Sequence, residues 1–427
     1  MTPKARFQAA VELLGEVLQT DRPADGIINA YYRSHRFMGS TDRRAVGTLV
    51  WGVLRTRARL SWQVEHAGAT VTPRALLIAW RLLCEGADRG ELLFSFPDGK
   101  PGPYDPKSLS AGETRLIDAL EKVNALDHPE MPDAVRYELP DWLYERMVRE
   151  FGDRTFEELE ALLREAPLDL RVNTLKTTRD DVLALLEERG ITAEAGTHSP
   201  WAVRVSGRPN IAALPAFQEG LFEVQDEGSQ MIALAAGVKP GQSVLDLCAG
   251  AGGKTLAMAQ MMNNKGSVTA TDVSEKRLSR ARVRLQRAGV HNVTCRPLES
   301  ETNRWLKRRQ GSFDVVLVDA PCSGTGTFRR NPDARWRLWP RHIDRLRTEQ
   351  TALLERAATL VKPGGRLVYA TCSVLGEENE ARVSEFLATR ADYSLDPEAG
   401  TGAPLLRFSP SRDGTDGFFV AVLKRDG

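Results

Sequence analysis

The sequence has 427 residues, a length that accommodates two to four domains. Its 42% hydrophobic and 27% charged residues are ordinary for a soluble globular protein, and a net charge of +1 identifies no class of partner. No apolar run approaches the roughly 18 residues of a membrane-spanning helix, so no membrane association is expected. Five widely spaced cysteines without a CxxC pair, and only six histidines, argue against a disulfide framework and against a metal site; they fit a reducing cytoplasm.

The first 90 residues or so have the apolar spacing of α-helices. Residues 2–20 place apolar side chains three and four positions apart, interrupted by Glu12 and Glu16, and so predict an amphipathic helix rather than a signal peptide. Residues 47–64 predict one buried helix. The proline- and glycine-rich residues 96–108 predict a loop.

Helical spacing resumes over 111–123, and residues 139–165 predict two short helices with Pro140 near the start of the first. The pattern then changes to a small α+β module over 166–219. The predicted elements of this module are a strand at 168–175, a helix at 178–190 that ends on a glycine, and a strand at 202–207.

Strands and helices alternate from residue 220 to the C-terminus. This alternation predicts a doubly wound parallel α/β sheet with a reversed or antiparallel last strand. The predicted strands are 243–247, 267–272, 292–295, 314–319, 366–371 and 417–424, and a long helix is predicted at 342–361.

A glycine-rich loop follows the first of these strands and precedes a helix. A phosphate loop of the Walker A type would fit Gly253, Lys254 and Thr255, but its first glycine would fall on Cys248. A nucleotide-type cofactor loop is the other interpretation, since Asp272 ends the next strand and can accept both hydroxyls of a ribose. That layout is shared by dinucleotide enzymes and S-adenosylmethionine (SAM) methyltransferases, while a tight turn without a ligand remains the plain alternative.

Cys322 lies three residues after the predicted strand 314–319, and Cys372 directly follows the predicted strand 366–371. Asp319, Cys322 and Cys372 can converge over one cleft, because ligands bind beyond the carboxyl ends of parallel strands. A thiolate beside a methyl donor suits the methylation of a pyrimidine at carbon 5, since its addition to carbon 6 makes carbon 5 nucleophilic. The plain alternative is a buried free cysteine that acts as a small hydrophobe, which we expect for Cys84 and Cys295.

Arginines are interleaved with Trp305, Trp336 and Trp339 between residues 304 and 347. Cations for phosphates and flat rings for unstacked bases are what a single-stranded nucleic acid requires. A solvated helical face with its tryptophans turned inward explains the same pattern, and charge by itself favours that explanation.

Three long motifs resemble a known family: DLCAGAGGKT (246–255), DAPCSGTGTFRRNPD (319–333) and YATCSVLGEEN (369–379). They are similar to the motifs of the RNA cytosine-C5 methyltransferases of the NOL1/NOP2/Sun type, and the resemblance extends over 166–427. GVLR at 52–55 resembles, more loosely, the NusB-like domain found in the bacterial 16S rRNA methyltransferase B (RsmB/Sun/Fmu) subgroup.

The resemblance implies four segments: a NusB-like RNA-binding domain at 1–135, a helical linker at 136–165, an α+β RNA-binding module at 166–219, and a Rossmann-like SAM methyltransferase domain at 220–427. It implies SAM as the cofactor, small-subunit rRNA as the partner, and a cytoplasmic enzyme. A monomer is expected, because one chain contains a whole site.

The resemblance also assigns roles to residues. Cys372 would be the nucleophile, Cys322 would assist breakdown of the adduct, and Asp319 would contact the cytosine. The implied cofactor contacts are Cys248, Ala249, Gly250, Ala251, Gly252, Gly253, Lys254 (also near the reacting atoms), Asp272, Arg277, Glu299 and Asp319. In place of the family's Ala-Ala-Pro-Gly-Gly the loop has Ala-Gly-Ala-Gly-Gly, and Glu299 stands where the family has aspartate. Arg329, Arg330 and Arg335 would contact RNA next to the catalytic loop.

Three other functions would each explain part of this pattern. An exocyclic-amine N-methyltransferase has a motif faintly like DAPC and needs no thiol. A DNA cytosine methyltransferase carries its nucleophile in a Pro-Cys motif, which would make Cys322 the attacking thiol. A non-catalytic RNA-binding assembly factor would have no chemical need for the two cysteines and Asp319.

Overall fold

A computed structural model describes residues 1–92 and 106–427, without the side chains of residues 300–302. Most of the loop predicted at 96–108 therefore lies outside the described residues. The chain divides into two compact units. Residues Met1–Arg149 and Asn331–Leu338 form the helical unit, and residues Glu150–Arg330 and Trp339–Gly427 form the sheet unit.

The helical unit is built from α-helices around one apolar core, as the sequence predicts for the N-terminal part. Its helices are α1 (Pro3–Leu18), α2 (Ala24–Ser34), α3 (Ser40–Arg55), α4 (Arg57–His66), α5 (Pro73–Trp80), α6 (Arg89–Leu92), α7 (Ala111–Val123), α8 (Asp133–Arg136) and α9 (Asp141–Phe151), the last of which continues into the sheet unit. Thr2 begins α1, where its side-chain oxygen accepts the N–H of Ala5 at 3.1 Å. Leu13 and Leu14 of α1 and Val50 and Val53 of α3 are fully buried in the core.

The single helix predicted over 47–64 is interrupted at Thr56, between α3 and α4. The first turn of α4 has a buried partner for its unpaired donors, since the Glu138 carboxylate accepts the N–H groups of Ala58 at 2.7 Å and Arg59 at 3.2 Å. Glu138 is far away in the sequence, so apolar spacing carries no sign of this break.

The sheet unit begins with a small α+β module. Its elements are α10 (Thr155–Leu163), β1 (Leu168–Val172), α11 (Arg179–Glu188), β2 (Ala193–Ala195), β3 (Ala202–Val205), α12 (Pro215–Gln218) and β4 (Phe222–Val224). The four strands form an antiparallel sheet in the order β2-β3-β1-β4. Because β4 pairs with β1, this sheet extends beyond residue 219, where the sequence analysis ended the module.

The rest of the sheet unit contains one large mixed sheet. Its elements are α13 (Glu227–Ala236), β5 (Ser243–Asp246), α14 (Gly253–Met261), β6 (Ser267–Asp272), α15 (Glu275–Ala288), β7 (Val293–Pro297), α16 (Ser300–Lys307), β8 (Phe313–Asp319), α17 (Pro340–Ala358), β9 (Val361–Thr371), α18 (Glu380–Thr389), β10 (Tyr393–Leu395), β11 (Leu405–Phe408), α19 (Pro410–Asp413) and β12 (Phe418–Arg425).

The strand order is β10-β12-β9-β8-β5-β6-β7, with β11 on β12. Strands β5 to β9 are parallel and β12 is antiparallel to β9, which confirms the predicted doubly wound sheet and its reversed last strand. The chain adds β6 and β7 on one side of β5 and then returns to add β8 on the other. The order therefore reverses between β5 and β8, and a ligand cleft is expected at their carboxyl ends.

Apolar clusters cover both faces of this sheet, as a doubly wound fold requires. One cluster includes Val244 and Leu317, and the other includes Leu245 and Val316, so neighbouring residues of one strand face opposite layers. No helix among the described residues is both long enough and apolar enough to span a bilayer.

Gly52 tests the packing of the helical unit. A Cβ at this position would stand 2.3 Å from indole atoms of Trp80. We expect Gly52→Ala to destabilise the helical unit by about 1–3 kcal/mol through overpacking, measured by thermal and urea unfolding. The matched control is Gly26→Ala in α2, where nothing lies within 4 Å, and it should be neutral or stabilising. Equal stabilities for the two variants would contradict the packing described.

Candidate active site

The glycine loop lies at the carboxyl end of β5, at the reversal of strand order. Gly250 has φ +55° and Gly252 has φ +79°, both in the left-handed region that favours glycine. A Cβ on Gly252 would stand 2.9 Å from the Cβ of Ala281, so this glycine also permits close packing against α15. Gly250 has nothing within 4 Å of its Cβ position, so the loop borders open space.

Asp272 ends β6 beside this loop and is only 4% exposed. Its carboxylate accepts the N–H of Gly250 at 2.9 Å and the N–H of Ser274 at 2.8 Å, while Arg277 Nη1 lies 3.9 Å away. Glu299 follows the end of the neighbouring strand β7, is exposed, and has no hydrogen-bond partner for its carboxylate among the described residues. Two acids therefore stand at adjacent strand ends, and both are cofactor contacts that the family resemblance implies.

Asp246 is an acid of this site that the sequence analysis did not single out. It is fully buried at the end of β5; its Oδ2 accepts the hydroxyl of Thr255 at 2.6 Å, and its Oδ1 has no hydrogen-bond partner among the described residues. Burial, with the nearby carboxylates of Asp319 and Asp272, raises the pKa of Asp246 to about 7. The sequence signal that could have identified Asp246 is an acid near the end of a predicted strand, just before a glycine-rich loop.

Lys254 and Asp319 form an ion pair of 2.7 Å between Nζ and Oδ2. Lys254 comes from the first turn of α14 and Asp319 from the end of β8. Burial works against the ammonium, but the charge and hydrogen bond of Asp319 outweigh it and leave the pKa of Lys254 above its usual value. Lys254 is therefore a cation at neutral pH.

The two cysteines predicted to converge do lie together. Their Sγ atoms are 3.4 Å apart, and the backbone N–H of Cys372 donates to the Sγ of Cys322 at 3.3 Å. The hydrogen bond to Cys372, and then burial, raise the pKa of Cys322 well above its usual value. Cys322 is therefore held as a neutral thiol at physiological pH, directly against its partner.

Glu378, which the sequence analysis also missed, joins the two cysteine loops. This buried carboxylate accepts the N–H of Ser323 at 2.9 Å and its hydroxyl, and it accepts the hydroxyl of Ser373 at 2.6 Å. Gln350 of α17 donates a further bond at 3.0 Å. Because Ser323 and Ser373 directly follow Cys322 and Cys372, one side chain sets the spacing of both thiols.

The three remaining cysteines are not part of the thiol pair. Cys248 is partly buried against the core of the sheet, and burial raises its pKa strongly, so it is a packing residue of the loop. Cys295 is only partly buried, and it packs against the apolar core as the sequence analysis expects of a small hydrophobic residue. Cys84 is exposed, so the prediction of a buried residue is wrong for it; it lies where α5 passes into a π-helical turn.

The three arginines predicted to contact RNA are held inside the fold. Arg329 is 5% exposed and pairs with Asp416 at 3.0 Å, while Arg330 pairs with Asp416 at 2.5 Å and Asp226 at 2.7 Å. Arg335 is 3% exposed and donates to the carbonyl of Glu138 at 3.2 Å. Their RNA contact stays a prediction, and their placement gives them a structural role.

One group of metal-ligand type occurs among the described residues, in the helical unit. Ligand atoms of His66, His128 and Glu130 lie within 4.8 Å of one another. The Nδ1 of His128 already accepts the N–H of Glu130 at 3.2 Å, and Trp62 stacks on His66 at 4.4 Å. Hydrogen bonding and ring stacking account for the cluster.

A doubly wound sheet with a glycine loop at its switch point, an acid at the end of β6, and an ion pair beside two thiols defines a Rossmann-like methyltransferase that uses SAM. Comparison with known proteins agrees. Residues 232–424 match the family described as 16S rRNA methyltransferase RsmB/F, and residues 139–212 match the ferredoxin-like domain described for RsmF/B-like methyltransferases.

Relatives match over almost the whole chain. The chain is 32% identical to the probable ribosomal RNA small subunit methyltransferase B of Synechocystis, over 98% of this chain and 99% of that protein. A methyltransferase homolog protein from Pyrococcus horikoshii has a crystal structure that is 31% identical, covers 70% of this chain and 100% of its own, and superposes with a TM-score of 0.60. The crystal structure of PH0851, 29% identical, covers 100% of this chain and 99% of its own with a TM-score of 0.79. The chain belongs to the RsmB/F family of 16S rRNA methyltransferases.

Replacing Glu378 should disturb turnover through the geometry of the thiols. We expect Glu378→Ala to lower the kcat of methyl transfer at least tenfold with little change in SAM affinity, because both cysteine loops lose their common acceptor. Glu378→Gln keeps one acceptor oxygen and should recover part of the rate. The half-buried Glu380 of the same segment, 3.6 Å from Arg407, provides the control Glu380→Gln. A Glu378→Ala variant with unchanged kcat and normal stability would show that Glu378 does not set the thiol spacing.

The raised pKa of Asp246 predicts a pH-dependent stability. Its folded-state pKa of about 7 exceeds the usual 3.8, so the folded state binds more protons than the unfolded state between these values. Stability should therefore fall as pH rises from 4 to 7, and Asp246→Asn should remove that part of the slope in SAM-free urea titrations. Asp25→Asn, at an exposed position, is the control. Parallel pH profiles for wild type and Asp246→Asn would refute the assignment.

Proposed function

We propose that this protein transfers a methyl group from SAM to carbon 5 of a cytosine in small-subunit rRNA, through a covalent bond between Cys372 and carbon 6 of that base. The observation that carries the proposal is the pair of thiols 3.4 Å apart, beside the Lys254–Asp319 ion pair and at the switch point of the sheet. The names of relatives, ribosomal RNA small subunit methyltransferase B, support rRNA as the substrate class.

The donors and acceptors of the site fit SAM. Open space borders Gly250, and the loop can offer backbone groups to a ligand there. The carboxylates of Asp272 and Glu299 would accept the ribose hydroxyls and the adenine amine. The Oδ1 of Asp246, which has no hydrogen-bond partner among the described residues, offers a further acceptor. When bound, SAM supplies an electrophilic methyl group.

Cys372 is the thiol best suited to attack. A thiolate is the nucleophilic form of cysteine, and the raised pKa of Cys322 keeps that residue protonated. Addition of the Cys372 sulfur to carbon 6 forms the S–C6 bond and moves an electron pair towards carbon 5, which becomes the nucleophile for the methyl group.

Asp319 and Cys322 would serve the steps on either side of methyl transfer. Asp319, hydrogen-bonded to Lys254, would contact ring nitrogen N3 and stabilise the adduct. After transfer, a base removes the proton from carbon 5, the electron pair re-forms the C5–C6 double bond, and the S–C6 bond breaks. Cys322, in contact with Cys372, would assist this release.

The rival functions use this geometry less well. Amine methylation gives no reason for two touching thiols, and a non-catalytic assembly factor gives no reason for an ion pair and two thiols gathered at the cofactor loop. The order of roles in DNA cytosine methyltransferases would make Cys322 the nucleophile, which its raised pKa disfavours.

A trapping experiment tests the proposal. Wild type, Cys322→Ala and Cys372→Ala are incubated with a small-subunit rRNA transcript and SAM, and denaturing electrophoresis reports any protein–RNA adduct. We expect a stable adduct with Cys322→Ala, because release is slowed, and none with Cys372→Ala, because no S–C6 bond can form.

Cys295→Ala is the control, since this thiol lies outside the site, and it should behave as wild type. The opposite pattern, with an adduct only in Cys372→Ala, would exchange the roles of the thiols. Methyl transfer that persists in Cys372→Ala would refute carbon-5 chemistry and favour amine methylation.

A further inference from the structure

The arginines that follow the catalytic loop differ sharply in their partners. Five of the seven between residues 329 and 347 are held in the fold by ion pairs or hydrogen bonds, and they are Arg329, Arg330, Arg335, Arg337 and Arg347. Arg341 and Arg345 are the other two. Both are exposed, and neither has a hydrogen bond or an ion pair among the described residues.

The tryptophans between residues 304 and 347 divide in the same way. Trp305 packs against the core of the sheet beneath Arg296 and Arg309, whose guanidinium carbons lie 4.8 and 5.0 Å from its ring centroid. Trp336 lies under Arg57, with 5.5 Å between the guanidinium carbon and its ring centroid. Trp339 has no ring or cation partner among the described residues and is 52% exposed.

The exposed aromatic ring and the two unpaired cations lie together at the start of α17. Trp339 precedes the first residue of the helix, and Arg341 and Arg345 are four positions apart, so they share one helical face. Ile343 and Leu346 of the same turns are buried and anchor the opposite face. The only acid exposed on these turns, Asp344, lies 3.8 Å from Arg347.

Helix α17 is hydrogen-bonded to the catalytic loop. Gln350 of α17 donates to the carbonyl of Pro321, next to Cys322, at 2.9 Å, and to Glu378 at 3.0 Å. Arg341 is nine residues before Gln350 in α17, which corresponds to about 14 Å along the helix. A strand whose target base is bound at the thiols would therefore pass these side chains within a few nucleotides.

We propose that Trp339, Arg341 and Arg345 form a contact surface for the single-stranded RNA that flanks the target cytosine. Trp339 stacks on an unstacked base, and the two arginines bind the phosphates beside it. An extruded base leaves its neighbours unstacked, which supplies the ligand that such a surface requires. This inference rests on the proposed function, because it takes RNA as the substrate.

Binding of a small-subunit rRNA transcript to the full chain, measured over a series of salt concentrations, tests the surface. Trp339→Ala should weaken binding by about 5-fold to 150-fold with an unchanged salt slope, and Trp339→Phe should retain most of the affinity. The double variant Arg341→Gln/Arg345→Gln should reduce the slope of log K against log salt by about 1.4, because two phosphate contacts are lost. In all variants the affinity for SAM should stay within about twofold of wild type.

The control is Arg304→Gln/Arg308→Gln, in α16 and at its C-terminal end, which removes two exposed arginines at the same spacing. Asn303 of α16 accepts a hydrogen bond from Arg356, so this control lies near the opposite end of α17. It should keep the wild-type slope. Wild-type RNA affinity and slope in the Trp339 and Arg341/Arg345 variants would overturn the surface alone. A wild-type chain that neither binds nor methylates the transcript would overturn the proposed function and the surface together.

Discussion

The common direction of strands β5, β6, β8 and β9 is the constraint on which the site depends. Parallel strands end at the same edge of a sheet, and the reversal of order between β5 and β8 opens a cleft there. The glycine loop, Asp272, Asp319 and the two thiols all follow carboxyl ends of these strands. No residue of the site needs a long or strained connection to reach its neighbours, because the sheet already brings their backbones together.

Polar side chains within the fold set the distances between the residues of the site. The carboxylate of Glu378 gathers donors from both cysteine loops and from α17, so displacement of either loop would remove part of the hydrogen bonds to a buried charge. The partly buried Lys254–Asp319 pair also joins the first turn of α14 to the end of β8. Such buried groups are costly when unpaired, and this cost restricts the site to one arrangement.

A second buried network explains why the arginines after the catalytic loop are numerous. Asp416 binds Arg329 and Arg330, and its backbone N–H donates to Asp226 at 3.1 Å. Arg330 also donates to the carbonyl of Pro167. The network therefore connects the loop after Cys322 with the start of β12 and with the small α+β module. Arg329 and Arg330 therefore stabilise the sheet unit, in addition to any contact with RNA.

The sequence by itself determined the class of fold, the position of most strands of the large sheet, and the set of residues gathered at its edge. These follow from local information: hydrophobic periodicity, turn residues, and motifs that end on reactive side chains. The tertiary structure alone decided the break between α3 and α4, the addition of β4 to the small sheet, and the roles of Glu378 and Asp246. It also decided which arginines are paired and which are free to meet a ligand. Each of these depends on a partner distant in the sequence, as Glu138 is for α4 and Asp416 for Arg329, and the spacing of residues along a chain contains no record of such partners.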